Sequence, residues 1–264
     1  EIRSRVAFLE HVATLSMTEL SPATNSTAAD WIVSALTTFG ESVHSLVPEG
    51  FTAYVRVFHP AYRLDLAAPR PWNSRKSVPW VEIARSNGTI DHPGMQLASL
   101  TGSFRFMREG QPAVYEHAPR EGSIPSEVGQ ALVSVLSRHT ATPDDCWIAV
   151  WNGFGRTRDD IRQAPTFRVP ARDYFLLHGA VRDGVMNVLD YGDSDGQTPN
   201  IWWPDDHAWC VATEIDLNTT YIGCSAACRD ELLSTPELEA LAIDPTIGIS
   251  WTSDTMNPIP PRGA

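Results

Sequence analysis

Residues 199–223 read PNIWWPDDHAWCVATEIDLNTTYIG and hold three of the chain's nine tryptophans, a proline-led acidic turn and an alternating run. In an extended chain successive side chains go to opposite faces. From Trp209 to Leu217 one face then carries Trp209, Val211, Thr213, Ile215 and Leu217, and the other Cys210, Ala212, Glu214 and Asp216. The first set predicts a core-facing surface. The second, two small residues followed by two carboxylates, predicts a pocket floor with an acidic rim. Like charges at that spacing need water, a cation or an arginine to neutralise them.

Just upstream, Asp205, Asp206 and His207 follow Pro204 in a turn. One reading makes these acids functional: Asp205, Glu214 and Asp216 as oxygen ligands for a hard divalent cation, with His207 as acid or base. The other makes Asp205 and Asp206 turn-closing residues and leaves Glu214 and Asp216 as the solvated end of an edge strand. Trp202 and Trp203 are adjacent, so in an extended chain one of them is expected to point away from the core. That indole is a candidate to stack on a ligand or to anchor a protein partner.

Working outward, 51–58 (FTAYVRVF) alternates as a strand ended by Pro60, and 146–151 (CWIAVW) reads as a buried strand. Residues 166–169 and 174–178 predict a strand pair around Pro170, and 219–222 a partner for the acidic strand. Helices are predicted over 29–38, 80–85, 125–139 and 225–233, with Thr235, Pro236 and Glu237 opening another. The clearest is 125–139, where Val128, Leu132, Val135, Leu136 and His139 fall on one face. Residues 63–77 read as a surface loop. Strands and helices mix without regular βαβ alternation, so the fold class is α+β, a largely antiparallel sheet with packed helices. Residues 1–27 read as a flexible N-terminal extension and 28–264 as one domain. An echo between Pro143-Asp144-Asp145-Cys146-Trp147 and Pro204-Asp205-Asp206-His207-Ala208-Trp209 raises two similar halves, 28–160 and 161–264.

At 264 residues, 42% apolar and 20% charged, the composition is that of a soluble globular protein. A net charge of −12 disfavours nucleic acid as a partner, since phosphate binding needs basic residues. No run approaches the roughly 18 apolar residues of a membrane span, so no membrane partner is expected. Lys76 is the single lysine among twenty basic residues, a bias typical of GC-rich genomes. Cys146, Cys210, Cys224 and Cys228 are too few and too irregular for a secreted disulfide framework, and a reducing cytoplasm fits them best. The sequons at Asn25, Asn87 and Asn218 are then chance matches.

Several motifs fail on context. Gly192-Asp193-Ser194-Asp195-Gly196 spells a nucleophile elbow, yet Gln197, Thr198 and Pro199 do not open the helix that motif requires. The same loop puts Tyr191 and Trp202 where a calcium loop needs carboxylates. Cys224 and Cys228, expected four apart on one helix, lack partners for zinc and read as small buried hydrophobes. Gly153-Phe154-Gly155 lacks the third glycine of a dinucleotide site. No cofactor is expected.

The run NIWWPDDHAWCVATEIDLNTTYIG, with SLVPEGFTAYVRVFHPA, VPWVEIARSNG and TPDDCWIAVWNGFG upstream, resembles a family of uncharacterised proteins common in actinobacteria. The resemblance runs from about Asp30 to Asn257. It implies a bacterial cytoplasmic protein of one continuous architecture and carries no activity, cofactor or catalytic residue with it. The residues themselves favour a module that binds a small molecule or a protein in a groove beside 202–209, with Trp202, Trp203, Asp205, Asp206, His207, Glu214 and Asp216 as its candidates. The alternative is a divalent-metal-dependent hydrolase using the carboxylates of 205–216.

Overall fold

A computed structural model of the chain describes residues 20–69, 74–105, 114–190 and 196–261. Its centre is a nine-stranded antiparallel sheet. The strands are β1 (Ser21–Pro22), β2 (Ala53–Phe58), β5 (Cys146–Trp151), β6 (Thr166–Val169), β7 (Arg172–Gly179), β8 (Ile201–Pro204), β9 (Cys210–Ala212), β10 (Thr219–Cys224) and β11 (Glu239–Ala242). They lie in the order β1-β7-β5-β8-β9-β10-β2-β11, with β6 also on β7. A separate hairpin joins β3 (Ala61–Leu64) to β4 (Arg75–Val78). The helices are α1 (Asp30–Ala35), α2 (Trp80–Asn87), α3 (Leu97–Thr101), α4 (Ser126–Leu136), α5 (Asp159–Arg162) and α6 (Ala226–Ser234). The fold is α+β with helices packed on an antiparallel sheet. Strands from 28–160 and 161–264 interleave in that sheet, β5 between β7 and β8, and β2 between β10 and β11. The two stretches do not form separate sheets.

Both faces of the sheet are covered. One buries Val55, Val57, Ile148, Trp202, Trp209 and Ile222 under α4 and α6. The other buries Tyr54, Ala149, Trp203, Cys210, Ala212 and Tyr221 under α1 and the segment around Val43–Val47. A third core gathers Phe58, Trp80, Ile83, Met95, Leu100 and Tyr115 beneath the hairpin, α2 and α3. Two-sided burial corrects the expectation for the paired indoles. Trp202 and Trp203 do point to opposite faces, but each face has its own core, and neither side chain is exposed.

Four local expectations also change. The alternation in 209–217 predicts one strand, whereas the chain leaves the sheet after Ala212 and turns, Leu217 N donating to Glu214 O at 3.0 Å. Residues 63–64 and 75–77 belong to a hairpin rather than to a loop, and the charged side chains of Arg63, Arg75 and Lys76 hide that pairing in the sequence. Residues 235–237 form a turn into β11, not a helix. Glu239 of β11 instead caps α2, accepting from Trp80 N at 2.6 Å and Val81 N at 2.8 Å. Cys224 ends β10 and only Cys228 lies on α6; both are buried and free. The 192–195 serine motif and residues 1–19 lie outside the described residues.

Candidate functional site

The candidate residues fall into two groups at opposite ends of β9. Asp205, Asp206 and His207 occupy the turn between β8 and β9. Asp205 Oδ1 accepts from Trp147 Nε1 at 3.0 Å. Asp206 accepts from Ala141 N at 2.7 Å, Thr140 Oγ1 at 2.8 Å and Ala208 N at 3.1 Å. His207, in the left-handed region at φ 53°, stacks on Trp31 with 4.4 Å between ring centres. These residues build the turn and dock it on its neighbour, where Asp205 N donates to Asp145 O.

Glu214 and Asp216 lie in the other turn, between β9 and β10, and share one cation. Arg172 opens β7 after the Pro170–Ala171 turn, in which Ala171 sits at φ 61°. Its Nε donates to Glu214 Oε1 at 3.1 Å, and its Nη2 to the same oxygen at 2.5 Å and to Asp216 Oδ2 at 2.8 Å. The guanidinium lies over Phe39, 4.7 Å from the ring centre, and 5.6 Å from that of Trp151. Burial raises the Glu214 carboxyl above its ordinary range, with the hydrogen bond and charge of Arg172 pulling against it. Burial outweighs the arginine here, because the Glu214 side chain is only 6% exposed, whereas that of Asp216 is 68% exposed.

Asp205 is therefore remote in contact terms from Glu214 and Asp216, and these three acids do not form the hard-cation set expected from their types. Among the described residues no group of three or more His, Cys, Asp and Glu side chains is placed to hold a metal.

A cleft of about 520 Å³ opens beside Glu214 and Asp216. Phe39, Leu46, Phe104, Leu217, Ile249 and Trp251 supply its apolar walls. Phe39 and Trp251 are 38% and 39% exposed, large apolar surface that stays in water. Trp251 Nε1 donates to Asp216 O at 3.3 Å, which fixes the indole against the acidic turn. Its size and chemistry are those of a small-molecule pocket, mostly apolar with few polar groups. A wider, more polar groove of about 1470 Å³ runs past Tyr62, Glu116, Glu127 and Gln197, too large and open to enclose one small molecule.

The strap Arg120–Ser123 packs between the groove and the acidic turn. Gly122, at φ 67°, donates its N–H to Leu217 O at 2.8 Å, and a Cβ there would stand 2.6 Å from Ile215 O. His59 anchors the strap from below. Its Nδ1 lies 2.8 Å from the Arg120 carbonyl oxygen and so carries the proton, leaving Nε2 to accept from Thr220 Oγ1 at 2.9 Å. Burial pushes this imidazole down to about 4, keeping it neutral. Glu121, held by this strap on the wall of the groove, has a buried Oε1 without a hydrogen-bond partner. Burial, then the charge of Asp216, pushes its carboxyl up to about 7.

Glu214 and Asp216 thus line a cleft, but from a turn rather than from the strand face that alternation predicts, and their companions are Arg172, Phe39, Phe104 and Trp251. Sequence reasoning missed all four. The one local signal was Trp251 in a polar stretch, Ser250-Trp251-Thr252-Ser253, where an indole has no neighbouring apolar residues to pack with. No protein-family model matches the chain, and no curated protein or solved structure is significantly similar to it.

Proposed function

We propose that the protein binds a small molecule in the cleft between Phe39, Phe104 and Trp251, without a cofactor of its own. One observation carries this reading: a 520 Å³ apolar concavity in which two aromatic side chains stay more than a third exposed next to a fixed ion-paired cluster. Scattered exposed hydrophobes are ordinary, but aromatic side chains converging on one concavity mark a binding surface. The buried Arg172–Glu214 pair supports it too, as a rigid wall that needs no reorganisation when a ligand enters.

No helix among the described residues is long and apolar enough to cross a membrane. The four buried free thiols suit a reducing compartment, and we place the protein in the cytoplasm of an actinobacterium on that ground together with the strings quoted above.

Phenylpropanol, a neutral aromatic probe, tests the cleft. It is expected to bind saturably and to raise the melting temperature progressively with concentration. Trp251→Ala should abolish the shift. A shift of equal size in Trp251→Ala, or none in the native chain, removes the cleft as a binding site.

A further inference from the structure

Resting on the cleft reading, we infer that the natural ligand is an organic cation: an ammonium group on an aromatic or branched apolar body. Its charged end sits at Asp216 beside the Trp251 ring, and its body lies between Phe39 and Phe104. Among the described residues, the charged side chains that line the cleft are Glu214 and Asp216, and none of those lining it is basic. Arg172, which neutralises one of the two, stands behind them. Its Nε and Nη2 are held by the two carboxylates, and Nη1 donates to Ala171 O at 3.4 Å. An anionic ligand would have to break that set or face an excess negative charge.

Asp216 is the accessible member. Its Oδ2 takes Arg172, while its Oδ1 accepts no hydrogen bond among the described residues, and the side chain is 68% exposed. An ammonium donor finds there an open carboxylate oxygen with good charge-assisted geometry. The aromatic faces add to this preference, because a ring attracts a cation through its quadrupole and the indole does so best. Trp251 is pinned to the Asp216 backbone, so the ring and the free oxygen are adjacent by construction. At long range a net charge of −12 draws cations toward the molecule and repels anions.

Three probes of one shape separate charge from shape: phenylpropylamine, phenylpropanol and phenylpropionate, each titrated into the full chain at neutral pH and followed by ligand-observed NMR. The amine is expected to bind at least about tenfold more tightly than the alcohol, and the carboxylate not at all. Its advantage should shrink as salt is added, since Asp216 is solvent-screened. Asp216→Asn should weaken the amine about fivefold and leave the alcohol unchanged. Equal binding of amine and alcohol, with no salt dependence, overturns the cation assignment and leaves the cleft reading standing, provided Trp251→Ala removes both probes. Tighter binding of the carboxylate overturns the assignment outright. If none of the three binds, the cleft reading falls and the assignment with it.

Discussion

The two turns that flank β9 begin from similar residues and end in different roles. Residues 205–207 carry two aspartates and a histidine, and 214–216 carry a glutamate and an aspartate. In the first turn the acids accept from neutral donors of the neighbouring segment, an indole N–H, a threonine hydroxyl and backbone amides at the surface. In the second, the acids reach across the sheet's end to one arginine and border an apolar cleft. The difference lies in what stands opposite. Neutral donors make a carboxylate a turn residue, whereas one shared guanidinium beside a concavity leaves Asp216 with an oxygen that accepts nothing else among the described residues.

The largest effect expected from this contrast comes from Arg172→Ala. It leaves Glu214 buried without its counter-charge, and urea unfolding should show a loss of about 3 kcal/mol or more. Conversely, Asp206→Ala removes bonds made at an exposed turn and should cost about 0.5–1 kcal/mol. Equal costs for the two would erase the distinction between the turns. Between these two lies Glu121→Gln. A carboxyl that holds its proton more tightly in the folded chain than in the unfolded one favours folding at low pH. That advantage is withdrawn as pH rises from about 4.5 to about 7, and the penalty is fully present above. The glutamine variant should therefore match the native chain near pH 4.5 and exceed it by about 1 kcal/mol at pH 8, a value discounted for partial access of water. Thermal melts across that range would show it, and a constant difference at all pH values would mean that burial does not raise the Glu121 carboxyl.

Much of the sheet is legible in the sequence because strands buried on both faces spell continuous apolar runs, as in Cys146–Trp151, and α4 because its apolar residues keep a helical period. What stays hidden is set by partners far away in the chain. Thr235, Pro236 and Glu237 read as a helix start, and nothing local shows that the chain instead enters a strand whose Glu239 caps the helix at Trp80. Similarly, Trp202 and Trp203 look like one buried and one exposed indole until a second layer covers the sheet. At the cleft, Glu214 and Asp216 stand in a turn after Ala212 that the alternating pattern hides. Arg172, Phe39 and Trp251 come from three separate segments, and no local pattern joins them.

The position of β2 bears on how this chain reaches its native state. That strand precedes β3 to β9 in the chain but lies between β10 and β11, which follow them all. Its apolar edge must wait, unpaired and prone to wrong associations, until both of these have been made, and such late, non-local closure makes for slow assembly. Because Glu239 of β11 also starts α2, deleting β11 would loosen a helix that lies far before it in the chain.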